Sequence, residues 1–181
     1  MTSESLRDSP LSGYRVLDLT IARAGPTAVR LLADWGTDAT RIDPPETAGR
    51  GSVTGRRRGS DEQNLHRNKR SISLDIKSPQ GAEVLRRLVA HSDVVVENFR
   101  APVKKRLGLD YEQLCKVNPR IILASISGFG QDGPYCDRPG VDQIVQGMSG
   151  LSSVTGEPGR GPVRTGIAIS DTSAGMFLGQ G

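Results

Sequence analysis

The stretch Tyr14-Arg15-Val16-Leu17-Asp18-Leu19-Thr20, followed by Gly25-Pro26 and then by Ala28, Val29, Leu31, Leu32 and Trp35, decides the fold class. Its opening residues alternate in polarity and read as a strand. Gly25-Pro26 turns the chain, and Pro26 suits the first turn of a helix, where a missing N–H is harmless. The apolar positions that follow give that helix one hydrophobic face, and Gly36 is a natural stop. A second strand runs from Asp38 to Ile42 and closes at Pro44-Pro45. A β-α-β unit of this kind lays two parallel strands side by side, so an α/β fold around a parallel sheet is expected.

The rest of the chain extends the pattern. Residues 1–12 are polar and read as a disordered lead, with the folded unit at 13–181. Residues 46–68 read as a long loop around Arg56-Arg57-Arg58, with one helical turn near Glu62 to Leu65. Ser71 to Asp75 reads as a strand. Ser78-Pro79 opens a helix as N-cap and first-turn proline. Asp93 to Glu97 and Arg120 to Ser127 read as buried strands. Between them a short basic helix spans Pro102 to Leu107, and Asp110 with Gln113 resembles a capping box for a helix at 111–117. A glycine loop at Gly128 to Gly133 and a helix at Val141 to Leu151 follow. Ser170-Asp171 then opens an apolar helix that the chain enters just before it stops, which suggests the N-terminal piece of something longer.

Composition narrows the function. The 181 residues are 35% hydrophobic and 4% aromatic, with 22 Gly and 11 Pro. No apolar run reaches the roughly 18 residues of a membrane span, and Met1 to Pro10 lacks the apolar core of a signal peptide. Two cysteines, Cys115 and Cys136, make no disulfide framework, so a reducing, cytoplasmic compartment is expected. His66 and His91 have no metal-ligand spacing. The net charge of +4 calls for an anionic partner, either nucleic acid or a phosphorylated small molecule. Arg56 to Arg58 has no interleaved aromatic residues, which disfavours nucleic acid. Neither a P-loop nor a Gly-x-Gly-x-x-Gly string is present, and Ala22-Arg23-Ala24-Gly25-Pro26 takes its place after the first strand.

Three further places carry chemistry. Asn68-Lys69-Arg70-Ser71, leading into Leu74-Asp75-Ile76-Lys77, is either a solvated basic strand edge or a grip for a phosphorylated nucleotide. Asn98-Phe99-Arg100 follows the Val94 to Val96 strand, and ligands of open α/β sheets bind outside such strand ends. Phe99 is either a core residue or a wall for a ligand. Asp171 is either a helix N-cap or a carboxylate nucleophile.

These strings resemble the class III CoA-transferases, the family that includes formyl-CoA and carnitine CoA-transferases and the α-methylacyl-CoA racemases. The resemblance rests on Gly13 to Thr20 with Ala24-Gly25-Pro26, Leu32 to Gly36, Arg41 to Pro45, Asn68 to Asp75, Val96 to Phe99, Asn118 to Ile122, Ser127 to Pro134 and Asp171-x-x-x-Gly175, in the family's order. It implies an open parallel Rossmann-like sheet with flanking helices, the N-terminal part of a large domain whose companion small domain is absent. It implies transfer of CoA from an acyl-CoA donor to a carboxylic acid, with no prosthetic group, no metal, no nucleic acid and no membrane, in an interlocked homodimer. Asp171 matches the family's nucleophile. Arg23, Ala24, Leu74, Asp75, Ile76, Lys77, Asn98, Phe99, Arg100 and Arg106 match its CoA contacts, and Arg138 is a further one. A racemase would carry histidine where Val141 stands in Gly140-Val141-Asp142, and valine moves no proton. An inactive CoA-binding fragment is the remaining alternative.

Overall fold

A computed structural model describes residues 9–45 and 59–181. Five parallel strands form one sheet: β1 (Arg15–Asp18), β2 (Asp38–Asp43), β3 (Lys69–Ser73), β4 (Val94–Glu97) and β5 (Ile122–Ser125). Their order across the sheet is β3-β2-β1-β4-β5. The register sets Leu17 beside Thr40 on one flank and Val95 on the other.

Helices α1 (Ala24–Asp34), α2 (Ser60–His66), α3 (Pro79–Ala90), α4 (Ala101–Arg106), α5 (Tyr111–Val117), α6 (Asp142–Met148) and α7 (Ile169–Gln180) complete the described fold, with a 3₁₀ turn at Leu151–Val154. The pleat explains the apolar runs. Successive side chains leave a strand on opposite faces, so Leu17 and Val95 join Leu85, Val89 and Leu114 in one core layer, beneath α3 and α5. Val16 and Val96 join Val29 and Ala33 in the other, beneath α1, with Leu178 of α7 packed against it. Both faces of β1 and β4 are covered, which is why the central strands read as near-continuous hydrophobic runs.

Local signals place the helix ends. In α3 the Ser78 side chain accepts a hydrogen bond from Gly81 N–H at 3.0 Å, and in α5 Asp110 does the same for Gln113 at 3.1 Å. Helix α1 ends in a Schellman turn. Gly36, at φ 103°, donates to Ala33 O, and Thr37 donates to Leu32 O.

The structure departs from the sequence reading in several places. Strand β3 starts at Lys69, two residues early, because Lys69 and Arg70 pair with Ala39 and Thr40. Strand β5 is an edge, and Ile122 is 61% exposed. Helix α6 stops at Met148. Residues 9–12 form a turn in which Leu11 N–H donates to Trp35 O at 3.0 Å. The start of the lead and Arg56 to Arg58 lie outside the described residues.

Candidate functional site

In a sheet of this order the strand sequence reverses direction between β1 and β4. The crevice above their C-terminal ends is where open α/β sheets bind ligands. Two polar groups shape it. Asn98, just past β4, reads the backbone of Ile21 just past β1. Its Oδ1 accepts Ile21 N–H at 3.0 Å, and its Nδ2 donates to Ile21 O at 2.8 Å. The fully buried Glu97 accepts Phe99 N–H at 2.8 Å and faces the Lys104 ammonium at 3.3 Å. That ammonium also donates to Ser125 Oγ at 3.2 Å and to Gln131 Oε1, which ties the loop after β5 to the end of β4. Between these ties Ala22 adopts φ 62°, a left-handed conformation costly for a residue with a β-carbon.

A cavity of about 310 Å³ opens above this junction. The β1–α1 turn, the segment after β4, the loop 126–140 and the starts of α6 and α7 line it. Gly128 and Gly140 touch where the loop leaves and returns, since a β-carbon on either would stand 2.3 Å from the other's Cα. Within the loop the Arg138 guanidinium lies 4.2 Å above the Tyr135 ring, and Tyr135 meets Phe129 edge to face at 5.7 Å.

Asp171 stands in this wall, half-buried in the first turn of α7. It is not the N-cap. That position is Ala168, which offers no side-chain acceptor. The acceptor comes from α6, where Asp142 Oδ1 takes Ser170 N–H at 2.9 Å. Burial, and after it the neighbouring Asp142 carboxylate, hold the Asp171 pKa above the usual carboxylate range, with Arg23 acting in the opposite sense. A desolvated, more basic carboxylate that faces a cavity is suited to attack an electrophile.

Of the residues singled out by sequence, Ala24, Asn98, Phe99, Arg100, Arg138 and Asp171 come together around this cavity. Phe99 both lines it and packs against the core layer beneath α3. Arg23, Leu74, Asp75, Ile76, Lys77 and Arg106 fall outside the lining, although all but Arg106, the last residue of α4, lie in segments that follow the C-terminal end of a strand. Arg23 pairs with Asp61. The side chains of Leu74 and Ile76 pack against the core. Lys69 neither faces solvent nor waits for a phosphate. Its ammonium donates to Asp18 Oδ2 at 2.8 Å and to Pro26 O at 3.0 Å, deep under the sheet end. Arg70 pairs with Asp38 on the surface. Sequence reasoning gave no role to Asp142 or to Gln146. A polar residue inside an apolar helix pattern was the available signal at Gln146.

Parallel order, a switch-point cavity and a desolvated carboxylate in its wall define an α/β protein with a cleft at the switch point of its sheet. The chain belongs to CoA-transferase family III, whose model matches residues 11–181. It is 44% identical to a succinate–glutarate CoA-transferase of Agrobacterium fabrum, over 98% of this chain and 47% of that one. It is 40% identical to a formyl-CoA:oxalate CoA-transferase of Afipia carboxidovorans, over 94% of this chain and 41% of that one. A CAIB/BAIF family protein from Brucella suis superposes with a TM-score of 0.86 at 39% identity, covering 95% of this chain and 47% of the other. The chain spans about half the length of the curated relatives it matches. Among the described residues no helix is long and apolar enough to cross a membrane.

Proposed function

We propose that this chain carries the nucleophile and part of the CoA-binding wall of a CoA-transferase that moves CoA from an acyl-CoA donor to a carboxylic acid. The observation that carries the reading is the position of Asp171, a desolvated carboxylate in the wall of the switch-point cavity. An Asp171 oxygen attacks the donor thioester carbonyl, and the C–S bond breaks to give a mixed anhydride and CoA thiolate. The thiolate attacks the aspartyl carbonyl, releasing the donor acid and leaving an aspartyl–CoA thioester. The acceptor carboxylate attacks that thioester, giving a second anhydride and thiolate. Thiolate attack on the acceptor's acyl carbon yields the new acyl-CoA and restores Asp171. Each covalent step is easier than a direct exchange.

Arg100 and Arg138, both in the cavity wall, suit the CoA phosphates. Arg23, Ala24, Asn98 and Phe99 form the near part of the CoA path, and Leu74 to Lys77 and Arg106 the remote part. Val141 lines the cavity at the place where a racemase needs a proton carrier, which favours transfer over racemisation. Exposed Ile144 and Met148 on α6 and Met176 and Phe177 on α7 suit burial against a second copy in a homodimer. The free thiols Cys115 and Cys136 suit a reducing cytoplasm.

The test is covalent capture on the native gene product. After incubation with an acyl-CoA, mass spectrometry should find CoA attached to the peptide that holds Asp171, and hydroxylamine should release it as free CoA, leaving a hydroxamate on Asp171. Asp171→Ala should bind CoA and form no adduct. Adduct formation by that variant, or attachment at another residue, overturns the reading.

A further inference from the structure

We infer that Asp142, held by Gln146, is a positioning residue that caps the helix carrying Asp171 from a different helix and sets a carboxylate beside the Asp171 backbone. The inference rests on the role proposed for Asp171.

The first N–H groups of a helix need acceptors, and the N-cap of α7, Ala168, has none to give. Asp142 Oδ1 supplies one to Ser170 N–H at 2.9 Å and lies 3.5 Å from Asp171 N. Asp142 is 7% exposed and Gln146 is 0% exposed. Gln146 Nε2 donates to Asp142 Oδ2 at 2.6 Å, which fixes the carboxylate plane. The same amide holds the incoming chain, with Oε1 accepting Thr165 N–H and Thr165 Oγ1, and Nε2 donating to Ile167 O at 3.2 Å. One buried pair on α6 thus sets both the approach to α7 and its first turn. A local cap at Ala168 would satisfy the backbone equally well. A carboxylate on α6 adds a negative charge near Asp171 while contributing no group to the cavity lining, since Asp142 is not part of it.

The groups facing Asp171 bound the electrostatics. Arg23 comes from the turn before α1, and Arg100, Cys136 and Arg138 come from the cavity wall. Arg164 approaches Asp142 Oδ2 at 3.9 Å. Asp142 is the acidic neighbour that raises the basicity of Asp171, so neutralising it lowers the pH at which Asp171 takes its proton.

The experiment follows single-turnover formation of the Asp171–CoA adduct against pH in the native gene product. Asp142→Asn keeps an acceptor oxygen for Ser170 N–H and removes the charge. Its Nδ2 faces the Gln146 Nε2 donor, so it should unfold at lower denaturant than the wild type while staying folded, bind CoA with unchanged affinity, move the acid limb to lower pH and slow the plateau several-fold. Asp142→Ala removes the tie as well and should slow it on the order of 100-fold, as misplaced nucleophiles do. A wild-type acid limb and plateau rate in Asp142→Asn overturn the inference, and that variant decides alone if the alanine variant does not fold. If even the wild type forms no adduct at Asp171, the functional reading fails. The Asp171 titration followed by carboxyl ¹³C NMR then decides for Asp142, where an unmoved midpoint in Asp142→Asn overturns the inference and a lower one supports it.

Discussion

Helix α7 rests on α1 backbone to backbone at Gly175, where a β-carbon would stand 2.3 Å from Ala24 O and 2.8 Å from Thr27 Cβ. Neither neighbour is the end of a flexible side chain, so the helices must separate to admit any substituent. Gly175→Ala is expected to cost about 1–3 kcal/mol, as overpacking does. Asp171 lies one helical turn earlier and moves with the helix. Adduct formation should therefore fall more than CoA affinity. Chemical denaturation and single-turnover kinetics on the same preparation check both parts.

The contact of Gly128 with Gly140 predicts an unusual pair of variants. Gly128→Ala and Gly140→Ala meet the same obstacle from opposite sides. Each should widen the loop that lines the cavity and weaken CoA binding by about tenfold. Because one loop displacement relieves both clashes, the double variant should lose less than the sum of the singles. Calorimetric titration with CoA across the cycle measures this, and strict additivity would count against a shared displacement.

Lys69 and Asp18 form an ion pair with side chains 1% and 0% exposed, whereas Arg70 and Asp38 stand at 70% and 44%. Removing one member of the buried pair leaves an uncompensated charge. Lys69→Ala should cost about 3–5 kcal/mol. Arg70→Ala, one residue away and in water, should stay within about 0.5 kcal/mol. Urea denaturation separates the two, and equal costs would refute the burial argument.

His66 gives stability a pH slope. Burial, then the Lys69 and Arg41 cations, push its pKa down to about 4 from 6.5. The folded state thus resists a proton that the unfolded chain accepts from about pH 6.5 downward. Stability contributed by neutral His66 is intact above 6.5 and declines as pH falls towards 4. His66→Gln should flatten the denaturation midpoint across that window. A slope unchanged in the variant would assign the dependence to other groups.

The sequence made legible what adjacent residues settle among themselves. Ser78-Pro79 and Asp110 cap the helices they were expected to cap, because a capping side chain and the N–H it accepts from lie within one turn. The central strands announced themselves through runs such as Val94 to Val96, buried on both faces. What stayed hidden depends on partners far along the chain. Lys69 looks like surface charge until β3 is laid beside β2 and its ammonium reaches Asp18, fifty-one residues away. The edge position of β5 follows from strand order, not from its apolar composition. At the site, the segment Asn98 to Arg100 stood out by its place past a strand end and Asp171 by its place at a helix start, and the family motifs added the nucleophile and CoA-contact readings. Asp142 did not stand out, because its partner is a backbone N–H on another helix and leaves no mark in the residues around it.

The two hydrogen bonds between Asn98 and Ile21 have a mechanical side. They rivet the end of β4 to the turn that leads into α1, and α1 in turn bears directly on α7 at Gly175. The segment that carries Phe99 and Arg100 and the helix that holds Asp171 are thus the two ends of one run of contacts that passes through the β1–α1 turn and α1.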